Sequence, residues 1–153
     1  TQAFRSLQPK CLVRFALVNL TDVRFFVGFQ AGYSIISITV SDDPGSPSDA
    51  RAGLSFSTSR GDSNWQFACK RTTGTEQLHD TGVAVTTAIL HVGIEIDEAT
   101  PAYNLTLYDA DMTSLATHQF TSGLINQTEA FSGVMVRPEC ASASLAATVA
   151  NCW

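Results

Sequence analysis

Charged side chains are scarce in this sequence, at 15% of its 153 residues against the roughly 25% usual in soluble domains. Basic residues are the scarcer sign, with 9 Lys and Arg against 14 Asp and Glu, so the formal net charge at pH 7 is −5. Because phosphate binding needs clustered Lys and Arg, and these are scattered, we expect no nucleic-acid partner. The hydrophobic fraction of 44% predicts a folded domain rather than a disordered chain.

Long hydrophobic runs are missing as well. The longest candidate, 33–40, contains three Ser or Thr residues and is far shorter than the roughly 20 apolar residues that cross a bilayer. The stretch that begins at Thr1 lacks the charged head and apolar middle of a signal peptide, and a start at Thr indicates a processed chain or a missing beginning. We therefore expect one domain over 1–153, with no membrane span.

The usual catalytic and metal-binding motifs are missing too. The sequence has no CxxC pair, no phosphate-binding glycine loop and no nucleophile elbow, and its 3 histidines show no i, i+2 or i, i+4 pairing. An acidic loop offers calcium ligands at Asp42, Asp43 and Asp49, but such loops are more often ion-free surface. We predict no cofactor, no metal site and no catalytic residue.

What the sequence does have is a series of short runs rich in Val, Ile, Phe and Thr, separated by turn residues. Helical periodicity is weak. The pattern predicts an all-β, antiparallel two-sheet sandwich of the jelly-roll type. The predicted strands are 10–18, 22–30, 34–41, 52–58, 64–71, 76–80, 88–97, 102–109, 113–120, 131–138 and 143–150.

The alternation is cleanest over 90–97, where four apolar residues face one way and His91, Glu95 and Asp97 face the other. Glycosidases use two carboxylates about 5–9 Å apart, and two residues along a strand span roughly 7 Å. Glucanases of the lectin-like jelly-roll class add a third carboxylate, where this chain has Ala99 and Thr100. We therefore interpret the acidic face as solvated surface rather than as a catalytic pair.

Aromatic rings offer a different kind of site, because they stack on sugars. The candidate rings are Trp65, Tyr103, Tyr108 and Trp153. Trp65 follows a turn at 61–64, but its alternation with Phe67 and Cys69 favours a place in the core. The predicted carbohydrate-contact residues are Tyr103, Trp65, His91 and Glu95.

The cysteines and glycosylation motifs point to an oxidising, extracellular compartment. The 4 cysteines are widely spaced, and Asn-x-Thr sequons begin at Asn19, Asn104 and Asn126. Free buried thiols are the alternative. A hairpin of 131–138 with 143–150 would hold Cys140 and Cys152 too far apart to bridge. The remaining pairings are Cys11–Cys152 with Cys69–Cys140, which we prefer because sandwich termini often meet, and Cys11–Cys140 with Cys69–Cys152.

The order of several segments carries a family resemblance. These segments are Thr-Asp-Val-Arg-Phe-Phe-Val-Gly-Phe at 21–29, a Ser-Thr strand, Gly-Asp turn and Trp strand over 54–65, Asp-Thr-Gly-Val-Ala-Val at 80–85, Glu-Ile-Asp at 95–97, a hairpin over 105–118, and Val-Met-Val-Arg at 134–137. Together they resemble the concanavalin A-like lectin/glucanase jelly-roll domains of bacteriophage tail-fibre and virion-surface structural proteins. The resemblance covers roughly 10–150.

This resemblance implies a non-enzymatic structural or decoration subunit of a virion or extracellular assembly, located outside the cell or on the virion and forming homo-oligomers or contacting other subunits. A carbohydrate-binding, lectin-like adhesion module is the alternative, and a glucanase-like hydrolase is less favoured. The family has one or two strands before the position of residue 10, so the first strand is either missing or supplied by a partner. The segment 31–50 resembles an insertion.

Overall fold

The computed structural model describes residues 3–4, 8–30, 50–71, 75–97, 101–124, 130–131 and 133–140. Side chains are described in 8–30, 50–71, 75–97 and 101–124. In these parts of the chain the regular structure is entirely β. The strands are β1 (Ala3–Phe4), β2 (Lys10–Phe15), β3 (Val23–Gln30), β4 (Arg51–Ser57), β5 (Asn64–Lys70), β6 (Gln77–Ala84), β7 (Leu90–Asp97), β8 (Ala102–Tyr108), β9 (Ser114–Phe120), β10 (Ala130–Phe131) and β11 (Gly133–Cys140).

Two antiparallel sheets form the body of the fold. One has five strands in the order β11-β3-β4-β5-β6, and the other has four in the order β2-β7-β8-β9. The short strands β1 and β10 pair separately with each other. The prediction of an all-β, two-sheet sandwich is therefore confirmed, while the jelly-roll topology stays a prediction.

The core lies between the two sheets because alternate apolar residues of each strand point inward. In β7 the burial alternates residue by residue, with Leu90, Val92, Ile94 and Ile96 inside, as the sequence predicted. Phe15 of the four-stranded sheet meets Phe25 and Trp65 of the five-stranded sheet, at ring-centroid distances of 5.1 and 5.3 Å. These rings join the two layers directly.

In the five-stranded sheet, the outward residues of β4 are buried as well. Every residue of β4 is buried, and Arg51, which points away from the core, has no exposed surface. Its guanidinium forms an ion pair with Glu76 at 2.7 Å. A charge with no contact with water is costly unless it is paired, so this carboxylate stabilises the buried arginine.

In the described residues, most strand ends lie within three residues of the predicted ones, with two larger differences. The strand predicted over 76–80 extends to Ala84 in the structure. Its pairing with β5 shifts register in this part, and Gly82 there adopts a φ of +68°, a conformation that glycine reaches without steric cost. The short strands β1 and β10 were not predicted as separate elements. The predicted strands 34–41 and 143–150 lie outside the described residues.

Gly28 and Gly53 face each other across β3 and β4 and set the distance between these two central strands. A Cβ atom at position 53 would clash with the backbone oxygen of Val27 and lie 2.9 Å from the Cα atom of Gly28. Both obstacles are backbone atoms, which cannot turn away as a side chain can, so a side chain at position 53 would force β3 and β4 apart.

We therefore predict that Gly53→Ala lowers the free energy of unfolding by about 3 kcal/mol, the cost of overpacking a rigid site. Gly61→Ala is the control, since a Cβ there meets nothing within 4 Å and the cost comes from its φ of +79° alone, about 1 kcal/mol. Urea denaturation followed by tryptophan fluorescence measures both. Equal losses in the two variants would contradict the close approach of β3 and β4.

Candidate functional site

The outer face of the four-stranded sheet carries the candidate site. Because β2, β7 and β8 are paired in register, their outward residues form cross-strand rows. One row brings Lys10, Glu95 and Asn104 together, and the next brings Leu12, Gly93 and Thr106 together. Lys10 is exposed and the other residues of these rows are partly buried, in contrast to the outward residues of β4.

A groove of about 310 Å³ runs across these rows. It is lined by Lys10, Cys11, Leu12, Gly93, Ile94, Glu95, Asn104, Thr106 and Tyr108. Glycine at position 93 leaves room for the tyrosine ring, because a Cβ atom there would lie 3.3 Å from Cε2 of Tyr108 and 3.9 Å from Cδ1 of Leu12. The ring of Tyr108 therefore lies over the backbone of Gly93, next to the side chain of Leu12.

The polar groups of the groove are held by neighbours. The Lys10 ammonium forms an ion pair with the Glu95 carboxylate, and both side chains remain about half exposed, at 64% and 47%. The side-chain oxygen of Asn104 accepts a hydrogen bond from Nε2 of Gln119 at 2.8 Å. The groove thus combines one aromatic ring with ammonium, carboxylate, amide and hydroxyl groups, a combination that binds ligands with both apolar and hydrogen-bonding faces.

Two of the four predicted carbohydrate-contact residues lie on this face. Glu95 lines the groove, and His91 lies one row away, where its Nδ1 donates to the backbone oxygen of Asp109 at 3.0 Å. Asp97 shares the outward face with Glu95, as the alternation predicted, but it does not line the groove.

The other two predicted contacts, Trp65 and Tyr103, have no exposed surface. Trp65 packs in the core against Phe15, Phe25 and Phe56, which confirms the interpretation of its strand alternation. Sugar contact by either ring would require the two sheets to separate. We therefore leave both rings out of the candidate site.

Of the candidate rings in the described residues, the one that reaches the surface is Tyr108, which the sequence analysis named among the candidate rings but not among the contact residues. The signal was present in the alternation of β8, since Tyr108 is in phase with Asn104 and Thr106 rather than with Tyr103. The contribution of Lys10 and Leu12 depends on the pairing of β2 with β7, which no local pattern shows. Trp153 lies outside the described residues.

The three predicted glycosylation sites differ in their location. Asn19 is exposed in the loop after β2, where its side-chain oxygen accepts a hydrogen bond from the backbone N–H of Thr21 at 2.9 Å. Asn104 lies within β8 and lines the groove. Asn126 lies outside the described residues. Attachment of glycans stays a prediction at all three positions.

The cysteine predictions need correction at Cys69. It is a buried free thiol, and its Sγ atom lies 3.5 Å from the backbone oxygen of Gly123, to which it donates. Through the register of β5, β4, β3 and β11, Cys69 lies level with Val134, six residues along β11 from Cys140. Six strand residues span about 20 Å, far beyond the reach of a disulfide.

The preferred Cys69–Cys140 bridge is therefore wrong, and neither predicted pairing forms at Cys69 in this structure. The alternative of a buried thiol describes this residue. The side chain of Cys140 and all of Cys152 lie outside the described residues, so the predicted partners of Cys11 are not placed.

No group of three or more His, Cys, Asp and Glu side chains in the described parts of the chain has an arrangement that would hold a metal ion. The acidic loop with Asp42, Asp43 and Asp49 is not among those parts. Nor does any helix there have the length and hydrophobicity needed to cross a membrane.

We predict that Cys69 is unreactive in the native protein. Burial, with a smaller effect of the nearby Glu76 carboxylate, raises the pKa of its thiol from 9.0 to about 12. A rise of this size lowers the thiolate fraction at pH 8 about a thousandfold, before any steric protection. Alkylation with iodoacetamide at pH 8, read by mass spectrometry of the tryptic peptide 61–70, measures this. Rapid labelling without denaturant, or recovery of this peptide in a disulfide, would contradict the buried thiol.

Comparison with known proteins adds no relative to these observations. No family model, no curated protein and no solved structure matches the chain. The resemblance to concanavalin A-like domains therefore stays a prediction from the sequence, and what this protein does has to be argued from its own surfaces.

Proposed function

We propose that this chain is a non-enzymatic structural or decoration module of a virion or another extracellular assembly, and that it associates with copies of itself. The proposal rests on the order of segments that resembles virion-surface jelly-roll domains, on the two-sheet sandwich, and on one surface feature. That feature is a concentration of exposed apolar side chains at a single end of the molecule.

This apolar end consists of Val18, Ile89, Met112 and Leu115. Among the residues with described side chains, five large apolar ones are exposed, and these four are 61%, 37%, 44% and 41% exposed. They share one end of the four-stranded sheet, because the end of β2 pairs with the start of β7, and the end of β8 pairs with the start of β9. The fifth residue, Leu78, is 41% exposed on β6 in the other sheet.

Exposed apolar residues that lie singly are ordinary, whereas a group of them at one place is typical of protein–protein contact surfaces. Met112 is held outward by a tight turn in which its N–H donates to the backbone oxygen of Asp109 at 3.2 Å. The residue has a φ of +65°, a conformation that costs free energy for a side chain other than glycine. A strained turn that presents methionine to solvent favours a contact role for this end.

The test is the oligomeric state of a double variant, Met112→Gln with Leu115→Gln. We expect the unaltered protein to sediment as an oligomer. The dissociation constant of the variant should be about tenfold higher, which corresponds to a loss of about 1.4 kcal/mol of association free energy. Sedimentation velocity over a concentration series measures the dissociation constant.

Leu78→Gln is the matched control, because its exposure equals that of Leu115 but it lies on another sheet. It should leave association unchanged. A monomer at every concentration, or equal weakening by the control, would contradict the proposal.

A second function, carbohydrate binding, is favoured by the groove. The ring of Tyr108 beside Gly93 offers a flat apolar surface on which the C–H face of a sugar can stack, as aromatic side chains do in ligand sites. Asn104, Thr106, Glu95 and Lys10 lie around it with the donors and acceptors that hydroxyl groups need. This arrangement supports a lectin-like module whose contact residues centre on Tyr108.

We predict that Tyr108→Ala lowers the affinity for a bound glycan about five- to thirtyfold, since a stacked ring contributes about 1–2 kcal/mol. Glycan-array binding followed by titration of the strongest hit measures the effect. Arg14→Ala is the control, because Arg14 is exposed on the same sheet face but does not line the groove. Absence of any glycan binding, or binding that is unchanged in Tyr108→Ala, would contradict this second function and leave the assembly proposal unaffected.

A further inference from the structure

His79 of β6 and His118 of β9 stack face to face where the edges of the two sheets meet. Their ring centroids are 3.7 Å apart and their planes are inclined by 10°. β6 is the last strand of the five-stranded sheet and β9 is the last strand of the four-stranded sheet. The two rings therefore join one layer of the sandwich to the other along this side.

Other side chains along this seam form a hydrogen bond and apolar contacts. The Gln77 side chain donates to the hydroxyl group of Ser122 at 3.1 Å. Val83 and Ala116 are partly buried against the core from the two edge strands. Phe120 packs edge-on against His118 at 4.5 Å, so the histidine pair connects the seam to the aromatic residues of the core.

When both imidazole rings are neutral, they stack without electrostatic repulsion. When one ring is protonated, the pair is a cation over an aromatic ring, an arrangement that is also favourable. A proton on both rings places two like charges roughly 4 Å apart, where their repulsion is strong in a partly buried site. Histidine changes its charge between about pH 5 and 7, so this transition falls in the mildly acidic range.

The charged groups around the pair are few. Asp80, next to His79, points to the outer face. Hydrogen bonds from the Gly82 N–H and the Asn64 amide, and to a smaller extent attraction to a charged His79, lower the pKa of its carboxyl group, so it stays ionised at mildly acidic pH. Glu76 lies just before β6. From β5, Phe67 faces His79 and the Cys69 thiol lies further along, uncharged because its pKa is about 12.

On the side of the four-stranded sheet, β8 and β9 contain no Asp, Glu, Lys or Arg residue. β9 has no titratable residue besides His118. From β8, Leu105 is opposite His118 and the buried Tyr103 is opposite Phe120, and a tyrosine is neutral in this pH range.

We propose that the His79–His118 stack is a pH-sensitive closure of the β6–β9 seam, shut at neutral pH and loosened in mildly acidic surroundings. The proposal does not depend on the function of either outer surface. A module that enters an acidic compartment would open along this seam first, while the aromatic contacts between Phe15, Phe25 and Trp65 hold the rest of the sandwich together.

The sign of the effect follows from protonation linkage. Burial, and then the neighbouring His79 charge, lower the pKa of His118 below its ordinary value of 6.5. The unfolded chain therefore binds this proton more readily than the folded chain does. Stability from the pair is fully present above about pH 6.5 and falls as the pH decreases through the range below it.

The experiment compares thermal unfolding at pH 7.5 and pH 5.5 for the unaltered protein and for His118→Phe, which keeps an aromatic ring but cannot be protonated. We expect the unaltered protein to lose about 2–4 °C more in its melting temperature than the variant between these two pH values. His91→Phe is the matched control, because His91 lies on the outer sheet face and is the remaining one of the 3 histidines. It should behave as the unaltered protein does.

Equal pH-dependent losses in the unaltered protein and in His118→Phe would overturn the proposal. If His118→Phe does not fold, hydrogen exchange of the unaltered protein decides the question. After correction for intrinsic exchange rates, amides of β6 and β9 should lose about tenfold or more protection between pH 7.5 and pH 5.5, relative to amides of β3 and β4. A uniform change across the four strands would refute a seam that opens first.

Discussion

Contact between aromatic rings of the two sheets is the interaction on which the rest of this structure depends. Phe15 of the four-stranded sheet contacts Phe25 and Trp65 of the five-stranded sheet, with centroid separations of 5.1 and 5.3 Å. Within the five-stranded sheet, Trp65 also packs against Phe25 and Phe56, at 5.7 and 5.8 Å. Tilted and edge-on pairs of this kind add roughly 0.5–1.5 kcal/mol each beyond the burial of their surface. Because the rings fix how the sheets lie face to face, they also determine which residues of each strand remain outside.

The two outer faces that result are chemically different. On the five-stranded sheet the outward residues of β4 are buried, and Arg51 is accommodated there by its ion pair with Glu76 and by the ring of Phe26, 5.9 Å from the guanidinium carbon. On the four-stranded sheet the outward residues stay partly exposed and a glycine opens a groove. The second face therefore carries the groove, while Val18, Ile89, Met112 and Leu115 expose apolar surface at one end of the same sheet.

The seam between β6 and β9 adds a third property to the same scaffold. Here the sheets are joined by two stacked imidazole rings rather than by apolar side chains. Apolar contacts respond little to protons, whereas stacked histidines respond over a narrow pH range. The groove on one face, the apolar end and the histidine seam therefore lie in three different parts of the described structure.

The sequence by itself determined most of the described strands, the alternation of β7 and the core position of Trp65, because these depend on periodicity within one segment. The outward side of Glu95 and His91 followed from the same alternation. Only the tertiary structure decided that Tyr108, Lys10 and Leu12 share a groove, that His79 stacks on His118, and that Cys69 is a free thiol remote from Cys140. Each of these depends on strand order and register between segments distant in the chain, which local patterns of hydrophobic residues do not encode.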